Sequence, residues 1–278
     1  LKILITGSKG QMGRALNRIL RKKDDVEIIL TDLDEMDITH LSDVERVLNN
    51  KKPDIVINCA AHTAVDLCED DKETAYLINV TGAENLAIVS NEIGAKIVHI
   101  STDYIFDGET ARPYVEEDEP NPISVYGATK WESEKKVIQN NPRHFIIRTA
   151  WLFGEGNNFV RKMLELAKKT KHLKVVDDQI GTPTSADQVA NAIMILIETE
   201  DYGIYHGSCE GECSWYEFAK EIFELENMDI DVEPCTSEQF PMKAKRPGYS
   251  VLENKRFLEK FNYRFSHWKD EIKTFLNK

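Results

Sequence analysis

A chain of 278 residues with 41% hydrophobic and 30% charged residues carries enough apolar side chains for a packed core, which excludes a disordered protein. Its formal net charge of −13, with no clustered basic stretch, argues against nucleic acid or an anionic membrane as partner, because phosphates would be repelled. No apolar run reaches the ~20 residues that span a bilayer, and the first strand begins at Lys2 with no room for a signal peptide, so a cytoplasmic protein is expected.

Short β-branched runs then alternate with longer stretches of helical period. Ile3–Thr6 reads as a strand and Gln11–Lys22 as a helix; Val26–Thr31 with Leu41–Asn50, and Ile55–Asn58 with Lys72–Ile93, repeat the pair before a fourth strand at Lys96–Ile100. This rhythm predicts an α/β fold with a doubly wound parallel sheet, Rossmann-like, its strands covered on both faces. A loop-rich stretch, Asp107–Pro122, precedes a helix over 124–140 and a strand at Phe145-Ile146-Ile147. Beyond it come helices near 158–169, 185–198 and 214–225. Residues 1–150 are read as the dinucleotide-binding domain and 151–278 as a smaller substrate-binding lobe, with about 173–200 packing back on the first domain. The acidic run Glu116–Glu119 reads as a solvated loop. The five cysteines, Cys59, Cys68, Cys209, Cys213 and Cys235, are scattered and fit reduced thiols. Cys209 and Cys213 with His206 lack a second ligand pair, so no metal is expected.

Directly after the first strand stands Thr6-Gly7-Ser8-Lys9-Gly10-Gln11-Met12-Gly13. Three glycines between strand and helix allow a tight turn and a close backbone approach, while free N–H groups and the helix dipole favour an anion. Gly7, Gly10, Gln11, Met12 and Gly13 are therefore candidate contacts to a dinucleotide pyrophosphate. Asp32, at the end of the second strand, stands where an acid accepts from the adenosine ribose, which favours NADH over NADPH. Asp37 and Ile38 would line the adenine. The small side chains of Cys59, Ala60 and Ala61 would let the third strand's end pass under the cofactor.

Tyr126 and Lys130 lie four residues apart at the start of a helix and share a face. A cation beside the phenol would lower its pKa from ~10 and make Tyr126 a proton donor to a carbonyl oxygen, with Lys130 also holding the ribose hydroxyls. Ser101 and Thr102 end the fourth strand at the sheet's carboxyl edge. Thr102 is a candidate donor to the substrate carbonyl, and Ser101 falls on the cofactor side.

On Ala60–Asp66, Asn79-Val80, Ser101–Gly108, Arg148–Gly154, Asp178–Thr184 and Arg246-Pro247, the sequence resembles the extended short-chain dehydrogenases and, within them, the dTDP-4-dehydrorhamnose reductase family along nearly the whole chain. The resemblance implies NAD(P)H-dependent reduction of a nucleotide-linked 4-keto sugar for surface polysaccharide. Tyr126, Lys130 and Thr102 match the catalytic set, and Thr63 joins the cofactor contacts. It further implies that Thr102, Asp103, Tyr104, Trp151, Gly181, Thr182 and Pro183 shape the sugar-nucleotide pocket and that Arg246 meets the diphosphate. Some members bind magnesium at a dimer interface through a glutamate where this chain has Ala15, so no metal is expected and monomer or homodimer stays open. An epimerase, a 6-deoxytalose-forming reductase and a non-catalytic dinucleotide-binding subunit are the competing readings.

Overall fold

The computed structural model describes residues 1–277. Strands β1 (Lys2–Thr6), β2 (Glu27–Leu30), β3 (Ile55–Asn58), β4 (Lys96–Thr102), β5 (His144–Thr149) and β6 (Gly203–His206) form one parallel sheet in the order β6-β5-β4-β3-β1-β2. The period-2 alternation of each strand sorts its apolar side chains between two cores. Ile3, Ile5, Ile55, Ile57, Phe145 and Ile147 face the helices Gln11–Leu20 and Ala186–Ile197. Leu4, Val56, Ile97 and Ile146 face Leu41–Lys51, Gly82–Glu92 and Val125–Asn140. The strand order reverses between β1 and β3, which opens a crevice at their carboxyl ends.

Several segments differ from the sequence reading. The sixth strand is a four-residue run containing Gly203 and His206, too short and mixed to stand out, and its pairing with β5 creates it. The helix expected over Lys72–Ile93 is interrupted by a π-helical turn at Leu77–Thr81. A Cβ on Gly82, just after it, would stand 2.6 Å from Ile38 Cδ1, so Ile38 is packed beneath this helix. Glu116 is not solvated: it is 4% exposed and its carboxylate accepts from the His206 and Arg256 N–H groups. The short helices Lys255–Phe261 and Trp268–Leu276 had not been expected.

A second core gathers Phe153, Val160, Phe218, Phe223 and Trp268 among the helices Phe159–Ala167, Trp215–Leu225 and Trp268–Leu276. Ser214 and Glu217 cap the middle helix reciprocally, satisfying N–H groups that its first turn leaves without partners. All five cysteines are free. Among the described residues no helix is long and apolar enough to cross a membrane.

Candidate active site

Between the carboxyl edge of the sheet and the second core lies a cleft of ≈ 560 Å³. Its dinucleotide end is made by the glycine turn. Gly7 has φ +59°, and a Cβ there would stand 2.8 Å from Cys59 and Ala60 backbone atoms. A Cβ on Gly13 would come within 2.5 Å of Gly7 O. Both positions need glycine because backbone, which cannot swing aside, fills the space. The helix Gln11–Leu20 begins with Gly10 as N-cap and no side-chain cap, and Gly10, Gln11 and Met12 line the cleft. Uncapped first-turn N–H groups beside a cleft of this size fit a pyrophosphate.

Asp32, Asp37 and Ile38, expected at the adenosine, are held by contacts within the protein. The Asp32 carboxylate accepts from Lys9 N–H at 3.0 Å and from Leu33 N–H at 3.0 Å, bracing the glycine turn while each oxygen keeps a lone pair. The Asp37 carboxylate is taken by Thr39 and His40, and Ile38 is 7% exposed in the core. Cys59, Ala61 and Thr63 do line the cleft. Ala60 stays behind them, its N–H given to Asn58 Oδ1 at 3.1 Å. Ser101 reaches the cleft wall, yet its hydroxyl donates to Glu134, which forms a buried ion pair with Arg148 at 2.8 Å.

Opposite the glycine turn, Ser124 Oγ accepts from Gly127 N–H at 3.1 Å and caps the helix Val125–Asn140. A Cβ on Gly127 would fall 2.0 Å from Tyr104 O, so glycine lets this helix press on the end of β4 and brings Tyr126 to Thr102. The Thr102 hydroxyl faces the same cleft as the Tyr126 phenol, donates to Asp103 Oδ1 at 3.0 Å and accepts from Tyr104 N–H at 3.2 Å. The Tyr104 ring meets that of Tyr126 edge-on at 5.8 Å. Thr102, Asp103, Tyr104, Tyr126 and Lys130 all line the cleft.

The expected lowering of the Tyr126 pKa by Lys130 is overridden. Burial is the largest influence and pushes the phenol above its ordinary value, with Thr102 opposing. Lys130 is 2% exposed and donates to Ile100 O at 2.7 Å; burial lowers it to about 8, against the pull of Glu134. Burial raises Asp103 to about 6, against Ser250 and Thr102, which favour its carboxylate.

The far wall is assembled from the lobe. Trp151 holds φ +43°, a left-handed conformation rare for a bulky residue, and its ring stacks on Trp215 at 3.4 Å. A Cβ on Gly181 would stand 2.4 Å from Trp151 Cε2, so Gly181 seats the indole instead of meeting substrate. Thr182 and Pro183 are likewise buried behind the wall, Thr182 donating to Gly211 O at 2.8 Å. Arg246 is already engaged within the protein: its guanidinium pairs with Asp66 at 3.1 and 3.3 Å and with Ala244 O, and its charge bears on Tyr104 at the cleft edge. Sequence reasoning missed Lys9, Glu155, Asn157 and Trp215, which line it. Nothing in the run Ser214-Trp215 signals a partner at residue 151; the helix-start pattern there was the only readable cue.

The sequence profile of the RmlD substrate binding domain family matches residues 1–278. A dTDP-4-dehydrorhamnose reductase of Aggregatibacter actinomycetemcomitans is 40% identical, with 98% of this chain and 97% of that protein covered. The crystal structure of a dTDP-4-dehydrorhamnose reductase from Clostridium acetobutylicum is 50% identical and superposes with a TM-score of 0.97, covering 100% of this chain and 99% of that one. That of the Bacillus anthracis dTDP-4-dehydrorhamnose reductase in complex with NADP is 41% identical with a TM-score of 0.96, covering 99% and 98%. With its glycine turn, Tyr126/Lys130 helix and Thr102 in one cleft, the chain belongs to the RmlD substrate binding domain family, that of the dTDP-4-dehydrorhamnose reductases.

Proposed function

We propose that this chain is an oxidoreductase that reduces the C4 keto group of dTDP-4-dehydro-L-rhamnose to dTDP-L-rhamnose, using NADH or NADPH. The observation that carries this reading is the convergence of Thr102, Tyr126 and Lys130 on one cleft whose other end is an uncapped helix N-terminus behind a glycine turn. The names of the similar enzymes point to the same reaction.

Gly10, Gln11 and Met12 would hold the pyrophosphate, with Cys59, Ala61 and Thr63 along the cofactor's flank and Lys130 on its ribose. When bound, the nicotinamide supplies the hydride that reduces C4. Tyr126 Oη donates its proton to the C4 oxygen as negative charge develops there. Its raised pKa keeps the phenol protonated at neutral pH, which suits an acid. The Thr102 hydroxyl polarises the same oxygen, and Asp103, whose Oδ1 accepts from that hydroxyl at 3.0 Å, orients it. Trp151, backed by Trp215, closes the sugar side and excludes water.

Asp32 was the reason to favour NADH. A second feature weighs toward NADPH: Lys9, whose N–H the Asp32 carboxylate accepts, lines the cleft and carries the kind of cation a 2′-phosphate would need, its ammonium resting on Asp34 at 2.7 Å. We therefore assign use of both cofactors. The test is the loss of reduced-nicotinamide absorbance on adding dTDP-4-dehydro-L-rhamnose with each cofactor, beside Tyr126→Phe, with the product's C4 configuration read by NMR. Oxidation by the native protein alone, giving the rhamno product, supports the reading. A talo product keeps the substrate and the reduction but reverses the face of hydride delivery at C4 and so changes the product assignment, and no oxidation with either cofactor removes the reading.

A further inference from the structure

Lys130 has three ammonium protons, and its anchor uses one of them, in the bond to Ile100 O. On the sheet side of the ammonium, 3.2 Å from Nζ, stands His99 Nε2. His99 belongs to a layer beneath the cleft that is withdrawn from solvent: Thr6, Asn58 and His99 are each 1% exposed and Ser133 is 0%. The hydrogen-bond network assigns the roles within this layer. Asn58 Oδ1 accepts from Thr6 Oγ1 at 2.7 Å and from Ala60 N–H at 3.1 Å, which turns Asn58 Nδ2 toward His99 Nδ1 at 3.1 Å. An amide nitrogen only donates, so His99 Nδ1 must be the acceptor and carries no proton. Burial and the neighbouring ammonium hold the imidazole well below its ordinary pKa, hence neutral, with its single proton on Nε2. Ser133 Oγ donates to Lys130 O at 2.6 Å and is free to receive Nε2–H at 2.9 Å. Nε2 therefore has no lone pair to offer Lys130.

We propose that His99, fixed by Asn58 and Ser133 as the Nε2–H tautomer, is a positioning residue for Lys130: it denies the ammonium a bond on the sheet side and turns its two remaining protons into the cleft. The inference rests on the role assigned to Lys130 above. It also gives the buried line Thr6–Asn58–His99–Lys130 a purpose, because this line crosses β1, β3 and β4 and ties the glycine turn to the Tyr126/Lys130 helix. The charged and titratable groups around the pair are Glu134 and Tyr126 on the same helix, Cys59 after β3, Asp103 after β4, and Arg148 of β5, which holds Glu134. Of these Glu134 favours the cation most, with Cys59 adding to it, while burial opposes it; the positive end of the His99 Nε2–H dipole, 3.2 Å from Nζ, works in the same direction as burial.

Two substitutions separate the ends of the ring. His99→Asn keeps an acceptor for Asn58 and removes the Nε2–H; His99→Gln returns an amide N–H near the Nε2 position. The expectation for His99→Asn is a roughly tenfold lower kcat with little change in KM for the nucleotide sugar, and an alkaline limb of the rate profile moved up by at least about half a pH unit as the cation loses its opposing dipole. His99→Gln should restore most of the native limb. Native limbs and native kcat in both variants, or a limb moved downward in His99→Asn, overturn the proposal. Nitrogen-15 NMR of the native protein decides it independently of folding or turnover of the variants. The ring must show a proton on Nε2 and none on Nδ1 through neutral pH; an Nδ1–H or doubly protonated ring sinks the idea. Should the native protein fail to turn over, the functional reading fails, and this spectrum still tests His99.

Discussion

On the dinucleotide wall of the cleft the site residues come from strand ends and the turns beside them, at 7–13, 59–63 and 101–104, and from a helix start at 126–130, and are held by backbone pressed on backbone: Gly7 on Cys59 and Ala60, Gly13 on Gly7, Gly127 on Tyr104. On the sugar-nucleotide wall they come from distant segments held by side chains, Trp151 between Gly181 and Trp215, and Arg246 on Asp66 across 180 residues. Backbone contacts have no rotamer through which to relax, whereas stacked rings and ion pairs do. Substitutions on the first wall should therefore act nearly all-or-none, and those on the second should act in graded fashion on substrate binding alone.

The largest effect expected is at the reacting atoms. Tyr126→Phe should lower kcat by roughly 10²- to 10⁴-fold while dinucleotide affinity, followed by fluorescence titration, stays native; a parallel loss of affinity would mean the phenol is structural. Asp103 tests where the walls meet. Its folded pKa of about 6 lies above the ordinary 3.8, so the native state binds the extra proton, and this group's stabilisation is complete below 3.8 and lost as pH rises through 6. At pH 8 that amounts to a penalty on the order of 3 kcal/mol. Asp103→Asn should then melt higher than the native protein at pH 8, with the advantage shrinking toward pH 4, while turnover falls. An advantage independent of pH would contradict the raised pKa.

Gly13→Ala should cost about 1–3 kcal/mol of stability and abolish dinucleotide capture, because its new Cβ meets Gly7 O at 2.5 Å. Gly181→Ala sharpens the contrast: it should raise KM for the nucleotide sugar several-fold through a displaced Trp151, and dinucleotide affinity should hold. Equal damage to both affinities would show that the walls are one unit. The mildest expectation is for Arg246→Ala, which frees Asp66 from a partly exposed pair worth up to about 1 kcal/mol; KM should rise only a few-fold and Tm should shift little.

Much of the first wall could be read in advance. A β-branched run followed by spaced glycines, or a Tyr four residues before a Lys at a helix start, is a local pattern whose geometry follows from the backbone itself. Less legible was Asp32, whose place after β2 suits a ribose contact and also the bracing of Lys9 N–H that the structure shows. Seeing the second requires knowing where the glycine turn ends in space. The Arg246–Asp66 pair was illegible for a related reason: a guanidinium suits a diphosphate and a carboxylate alike, and Asp66 lies far away in sequence. That Gly181 seats the Trp151 indole and that Trp215 stacks on it had no signal in the local sequence.

The sequence by itself determined the parallel doubly wound sheet, the anion-binding turn and the Thr102, Tyr126 and Lys130 set, because periodicity of 2 and 3.6 residues and glycine's freedom at positive φ act over a few residues. Only the tertiary structure decided which polar groups were left free to work. Packing committed Asp37, Asp32, Ser101 and Arg246 to neighbours within the protein, stood Trp151 on Trp215, and withdrew Lys130 from water beside His99. A side chain's partners and its protonation depend on what burial brings against it, and that information resides in contacts between segments remote along the chain.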